Sequence, residues 1–220
     1  MPTNGEMMLV TIGLSYLIGS IPTAYLVGRL NGINIFEIGS GNMGTANATR
    51  ALGLKWGLVV WTGDILKGVT SVLVARALLD PFLGWANVLG ALFVIVGHNW
   101  SIFATLLTGR VRGGKGAATW WGAFVMMAPA PVIAVVALTF GGIVALTRYI
   151  SLGVLMGVAA GALSFGLLVA MGKGLLVGPA ETINVYLVYA VLAGLVVFYR
   201  HRENIQRLLA GTERRFGERA

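Results

Sequence analysis

The sequence predicts an all-α integral membrane protein, a bundle of seven transmembrane helices with a short fourth helix, the N-terminus outside and the C-terminus cytoplasmic. Three observations carry that prediction. Of 220 residues, 57% are hydrophobic and only 11% charged, and the mean hydropathy is +0.83, far outside the range of soluble domains. The apolar residues gather into runs near the roughly twenty that a bilayer core requires. The basic residues stand at the ends of those runs, which is how membrane proteins mark their cytoplasmic side.

The first run extends from about Met7 to Val27, with Pro22 near its end as a kink and Arg29 closing it. A polar loop, Gly39 to Arg50, leads to a second run, Leu54 to Leu79, interrupted by Asp64 and Lys67. These two share a helix face. Charges inside a membrane cost about 3 kcal/mol each on insertion scales, so they should pair with each other or line a polar cavity. Asp80 and Pro81 form a turn, and a third run from Leu83 to Leu107 carries His98, Asn99 and Trp100. After the polar loop Thr108 to Lys115, the run Gly116 to Ala128 is too short to span alone and is broken by Pro129 and Pro131. Val132 to Leu146, Leu152 to Met171 and Ile183 to Tyr199 are the last three runs. The charged tail from Arg200 should be helical for about two turns, with Asn204, Arg207 and Leu208 at helical spacing.

With the N-terminus outside, Arg29, Arg50, Lys55, Arg110, Arg112, Lys115, Arg148 and six tail arginines fall inside. Arg76 and Lys173 fall near the outside, so the basic residues divide thirteen to two with Lys67 left in the membrane. The net charge of +8 therefore marks orientation, and nucleic acid is not an expected partner. Cysteine is absent, which excludes a disulfide framework and a thiolate metal site. No internal repeat or linker divides the chain, and a single domain over residues 1–220 is expected.

Three polar segments fall on the predicted cytoplasmic face. GSGNMGTANATR, Gly39 to Arg50, carries Gly39, Gly41 and Gly44, whose expected positive φ turns backbone N–H groups into a concavity for an anion. Arg50 adds a planar charged fork, and the Asn42 and Asn47 amides are expected to bind substrate beside those glycines. The glycines satisfy G-x-G-x-x-G, but a membrane helix precedes them where a dinucleotide fold needs a strand. GRVRGGKG, Gly109 to Gly116, fits G-x-x-x-x-G-K but has Gly116 where a nucleotide loop needs Ser or Thr. Gly113, Gly114 and Gly116 around Lys115 remain a second anion cradle. RHRENIQRL, Arg200 to Leu208, places His201, Asn204 and Arg207 at three-residue spacing on one helix face. There is no D-x-x-x-D or His-rich cluster for a catalytic metal and no G-x-S-x-G elbow, so no cofactor is expected.

GSIPTAYLVGRLNG, GSGNMGTANATRALG, DILKG, GHNWSIF, GGKGAAT and HRENIQRLLAGTE, in this order over nearly the whole chain, resemble the PlsY family of bacterial acyl-phosphate:glycerol-3-phosphate acyltransferases. The resemblance implies a seven-helix enzyme of the bacterial inner membrane with its active site at the cytoplasmic face. That enzyme makes lysophosphatidic acid from acyl phosphate and glycerol 3-phosphate, without acyl-CoA or a metal. It implies that Ser40 and Arg50 are essential, and that the glycines around Lys115 hold the glycerol 3-phosphate phosphate. It further places His98, His201 and Asn204 in or beside the reaction centre, and makes Glu203 structural. Two departures stand out: Ala46 replaces the usual Thr, and the segment between His98 and Lys115 is longer.

An acyl phosphate already carries a good leaving group, so positioning and charge stabilisation should suffice. The acyl chain is expected to enter from the membrane lipid, its phosphate resting on the first glycine loop and Arg50. Lys115 and Arg207 hold glycerol 3-phosphate, Lys67 contributes to substrate binding, and Ser40 and Asn204 donate hydrogen bonds near the developing oxyanion. The proton goes to His98 as general base or to the donor's phosphate, and a cationic surround favours the phosphate. The chain is expected to work as a monomer. The alternative is a transporter or flippase of a phosphorylated solute or lipid, which would place its polar site at the midplane between repeated halves.

Overall fold

The computed structural model describes residues 3–79, 84–172 and 180–218, and the expected turn at Asp80 and Pro81, like Lys173, lies outside them. Eleven α-helices follow in the described residues. α1 (Asn4–Ser20) starts from a capping box in which Thr3 and Glu6 exchange hydrogen bonds, satisfying donors that a helix start leaves open. It breaks at Ile21 and Pro22, as the proline predicts, and α2 (Thr23–Leu30) continues. Then come α3 (Thr45–Leu52), α4 (Leu54–Leu78), α5 (Gly84–Asn99) and α6 (Ile102–Thr108). α7 (Ala117–Val125), α8 (Ala130–Thr147) and α9 (Ile150–Ala170) precede α10 (Ala180–Arg200) and α11 (Arg202–Leu209). Pro129 is the N-cap of α8 and Pro131 lies in its first turn, where a missing N–H costs nothing.

Among the described residues, five spans are long and apolar enough to cross a membrane: Asn4–Leu30, Leu54–Leu78, Ala130–Thr147, Ile150–Ala170 and Ile183–Arg200. Their outward faces are greasy. Leu138 on α8, Leu163 on α9 and Leu195 on α10 are all more than 60% exposed, as lipid-facing side chains are.

Two expectations need correction. The apolar run from Leu83 to Leu107 is not one helix, because α5 stops at Asn99 and α6 begins at Ile102. Ser101 is extended between them. Its hydroxyl accepts from Ala104 N at 3.0 Å and donates to Ser20 O, and its own N–H donates to Arg112 O at 2.9 Å. Side chain and loop thus replace the helical hydrogen bonds lost at the break, and the break is tied to the one at Pro22. The second correction concerns the first polar loop, whose later half is α3 rather than loop. Gly39 and Gly41 have φ of 61° and 64°, but Gly44 is extended at −120° as the N-cap of α3.

α1 packs on α4 and α5, α4 on α3, α5 and α7, and the α8–α9 hairpin joins through α10 to α5. A larger apolar cluster fills the space among α4, α5, α7, α8, α9 and α10, around Val94, Phe124, Phe165 and Tyr189. A smaller one, around Ile35, Met43 and Ala48, seats α2 and α3 against α4 and α6. Small residues allow the closest approach. A Cβ on Gly19 of α1 would run into Val94 O of α5, and one on Gly97 of α5 into Tyr16 O of α1. Gly13, on the other side of α1, has nothing within 4 Å. Gly19→Val should therefore destabilise the protein by about 1–3 kcal/mol or more through overpacking, while Gly13→Val stays within about 0.5 kcal/mol. Thermal unfolding in detergent of the two variants checks the contrast.

Candidate active site

The seat of the site is the end of α5. Gly113 to Gly116 lie across it so closely that a Cβ on Gly114 would overlap the His98 ring, and one on Gly113 would overlap Asn99 O. Gly114 N donates to His98 O at 2.9 Å, and Gly114 O accepts from Arg200 Nε and Nη2 at 3.0 and 2.8 Å. Gly116 takes φ 78° to become the N-cap of α7, a turn that side chains resist. Lys115 is carried outward between these fixed glycines, and its ammonium donates to Asn204 Oδ1 on α11.

Asn204 and Arg207 lie one turn apart on α11, as their spacing predicts, and both are held by a carboxylate. Glu213 accepts from Asn204 Nδ2 at 2.6 Å, from Ser151 Oγ at 2.8 Å and from Arg207 Nε at 2.7 Å. Its side chain is 6% exposed. Burial pushes the Glu213 carboxyl up, but the three hydrogen bonds outweigh burial and hold it below its ordinary value. Glu203, the carboxylate that the motif resemblance made structural, is exposed on α11; the tail carboxylate fills that role. The tail is itself clasped, with Phe216 N donating to Arg148 O and Arg148 Nη2 to Phe216 O, each at 2.7 Å.

The first loop faces this cluster through Arg50. The half-buried guanidinium lines a cleft with Ala46, Thr49, Ile150 and the tail residues Arg215 to Glu218. Burial lowers its pKa, and Arg214 lowers it further. Ser40 is exposed on the loop, its N–H donating to Asn47 Oδ1 at 3.0 Å. Asn47 also donates through Nδ2 to Ile35 O and Ile38 O, both at 3.1 Å. An amide 2% exposed and fully used in this way shapes the loop instead of binding a ligand, which corrects its predicted role. Asn42 makes only a long contact, 3.5 Å, to Ser40 O. Lys67 is likewise not open to a ligand: it is 5% exposed and donates to Asp64 Oδ1 at 2.7 Å.

His98 is 2% exposed, with Nδ1 3.7 Å from Asp64 Oδ1 and the ring against Gly114. His201, just beyond α10, holds Nδ1 2.8 Å from Val197 O, so that nitrogen carries the hydrogen. Burial, then the charge of Lys115, lowers its pKa to about 4, and it is neutral at pH 7. Sequence reasoning passed over Arg200, Arg112 and Glu213. Arg112 stacks on Phe36, 5.5 Å from the ring centre, and reaches Gly41. Arg200 opens the segment RHRENIQRL and Glu213 closes HRENIQRLLAGTE, and only their partners in space mark them out.

Residues 9–211 match the family described as glycerol-3-phosphate acyltransferase. The chain is 43% identical over 213 residues to a glycerol-3-phosphate acyltransferase of Thermus thermophilus, covering 96% of each. It is 41% identical over 217 residues to one from Rubrobacter xylanophilus, covering 98% of this chain and 97% of the relative. Among solved structures it is similar to PlsY (YgiH), an integral membrane glycerol 3-phosphate acyltransferase, in its glycerol 3-phosphate form. The TM-score is 0.79 at 33% identity over 96% of both chains. The lysophosphatidic acid form of PlsY gives 0.77 at the same identity, over 96% of this chain and 95% of that one.

Burial, then the positive charge of Arg207, lowers the Lys115 pKa to about 8. Below that pH the ammonium is present and attracts an anion; above it the neutral amine does not. Affinity for a phosphate monoester should be level up to about pH 8 and then fall, by at most about tenfold per pH unit. Lys115→Arg should abolish the fall, since a guanidinium keeps its charge throughout. Calorimetric titration between pH 7 and 10 checks both.

Proposed function

The chain belongs to the glycerol-3-phosphate acyltransferase family, and from that premise we propose that its donor is an acyl phosphate. The product is lysophosphatidic acid, with inorganic phosphate released. The observation that carries this reading is the convergence of Lys115, Asn204, Arg207 and Glu213 from three separate segments, with Arg50 close enough to feel their charges. Such a site has cationic groups for two phosphates, one on each substrate. A transporter reading has no support from relatives named for acyl transfer.

The phosphate of glycerol 3-phosphate rests on Lys115 and Arg207, which directs the 1-hydroxyl at the donor carbonyl. The donor phosphate rests on the first loop and Arg50, and Ser40 donates towards the developing oxyanion. Asn204 acts through Lys115, since its oxygen already accepts from that ammonium. The hydroxyl oxygen forms the new ester bond, the bond from carbonyl carbon to phosphate oxygen breaks, and the departing phosphate takes the hydroxyl proton. The chain works as one domain and as a monomer, in the inner membrane of a bacterium, with the site at the cytoplasmic face. The positive-inside pattern supports that side. The meeting of Lys115 and Asn204 supports counting α7 as a crossing: α8, α9 and α10 alone would leave the two residues on opposite sides.

With palmitoyl phosphate and glycerol 3-phosphate, the purified protein should release phosphate only when both are present and yield lysophosphatidic acid. Arg50→Ala should lose about a hundredfold or more in kcat/KM, and a chelator should leave the wild-type rate unchanged. Turnover with palmitoyl-CoA in place of the acyl phosphate would overturn the donor.

A further inference from the structure

We propose that Asp64, buried in α4, is a positioning residue for this reaction: held by Lys67, it fixes the His98 ring, which fixes Gly114 and so the reach of Lys115. The inference rests on the reading that the Lys115 loop holds the phosphate of glycerol 3-phosphate. Asp64 and Lys67 are 2% and 5% exposed within an apolar span. An ion pair that only held helices together would be replaceable by apolar side chains, often with a gain. This pair touches something else. The Asp64 oxygen that accepts from Lys67 also faces His98 Nδ1 across 3.7 Å, and that nitrogen has no hydrogen bond of its own among the described residues. Gaps of this kind in unliganded sites often tighten once substrate is bound.

The other edge of the ring bears on the loop. A Cβ at Gly114 would meet His98 Nε2, Cδ2 and Cε1, so ring rotation and loop position cannot change independently. Gly114 N donates to His98 O and Gly114 O accepts from Arg200, which sets the two polar atoms of Gly114. What remains to be set is the face against the imidazole, and Asp64 is the polar group on the far side of it.

The test uses the full chain in detergent. Asp64→Asn with Lys67→Met removes the pair without leaving a lone charge, and His98→Phe keeps a ring without nitrogens. Each should raise KM for glycerol 3-phosphate about tenfold with kcat changed less than about threefold, the mark of lost positioning before the chemical step. The triple variant should be no worse than His98→Phe, because the pair acts through the ring. Amide hydrogen exchange at residues 113–116 should quicken in the paired variant while that of α9 stays unchanged. Wild-type KM in a folded variant, unchanged exchange at 113–116, effects that multiply in the triple variant, or loss of cooperative melting in the neutral pair would each overturn the proposal. Should the wild type itself fail to turn over both substrates, the functional reading falls, and exchange at 113–116 alone decides for Asp64.

Discussion

Arg50, Lys115 and Arg207 repel one another, and their assembly depends on one carboxylate. Glu213 accepts from Asn204, Ser151 and Arg207, so a single side chain from the tail gathers α9 and α11 and, through Asn204, the Lys115 loop. Lys115 is the sheltered cation of the three, and a sheltered charge left without a partner is costly, which makes such a counterion a condition for the cluster. It also leaves the cluster with more positive than negative groups, ready for anionic substrates. The depressed ammonium of Lys115 records its burial first, and then the repulsion from Arg207 that Glu213 does not fully cancel.

Much of the fold was legible because the bilayer restricts what an apolar run can be. Runs near twenty residues became helices at α4, α8, α9 and α10, and the prolines at 22, 129 and 131 broke or started helices as their missing N–H requires. The break at Trp100 and Ser101 was not legible. Hydropathy stays high through it, and what ends α5 is a serine whose hydroxyl donates to a carbonyl some eighty residues earlier in the chain, at Ser20, and whose N–H donates to one eleven later, at Arg112.

The site shows the same division. Lys115, Asn204 and Arg207 carry charge or amide at spacings that declare themselves, and the structure brings them together. Asn47 and Lys67 looked alike on paper, polar residues beside glycine or inside a membrane span, yet both are consumed by internal contacts. Glu213 and Glu203 could not be told apart by type. Ten residues separate them, and only the return of the tail, clasped at Arg148, decides which one is buried. Periodicity reads the face of a helix; it does not read where a loop comes back.

α7 has nine residues, about 14 Å of helix, well short of the roughly 30 Å that hydrocarbon occupies. The loop bearing Lys115 lies against the end of α5 and ends where α7 starts, and a crossing made by so short a helix draws that loop inward from the membrane surface. Depth of this kind decides what happens to a single-tailed lipid. Drawing a fatty chain up into water costs about 0.8 kcal/mol for every methylene exposed. A carbonyl that meets its acceptor at the level where the tail begins spares that expense, and the newly made lipid is left where it already belongs.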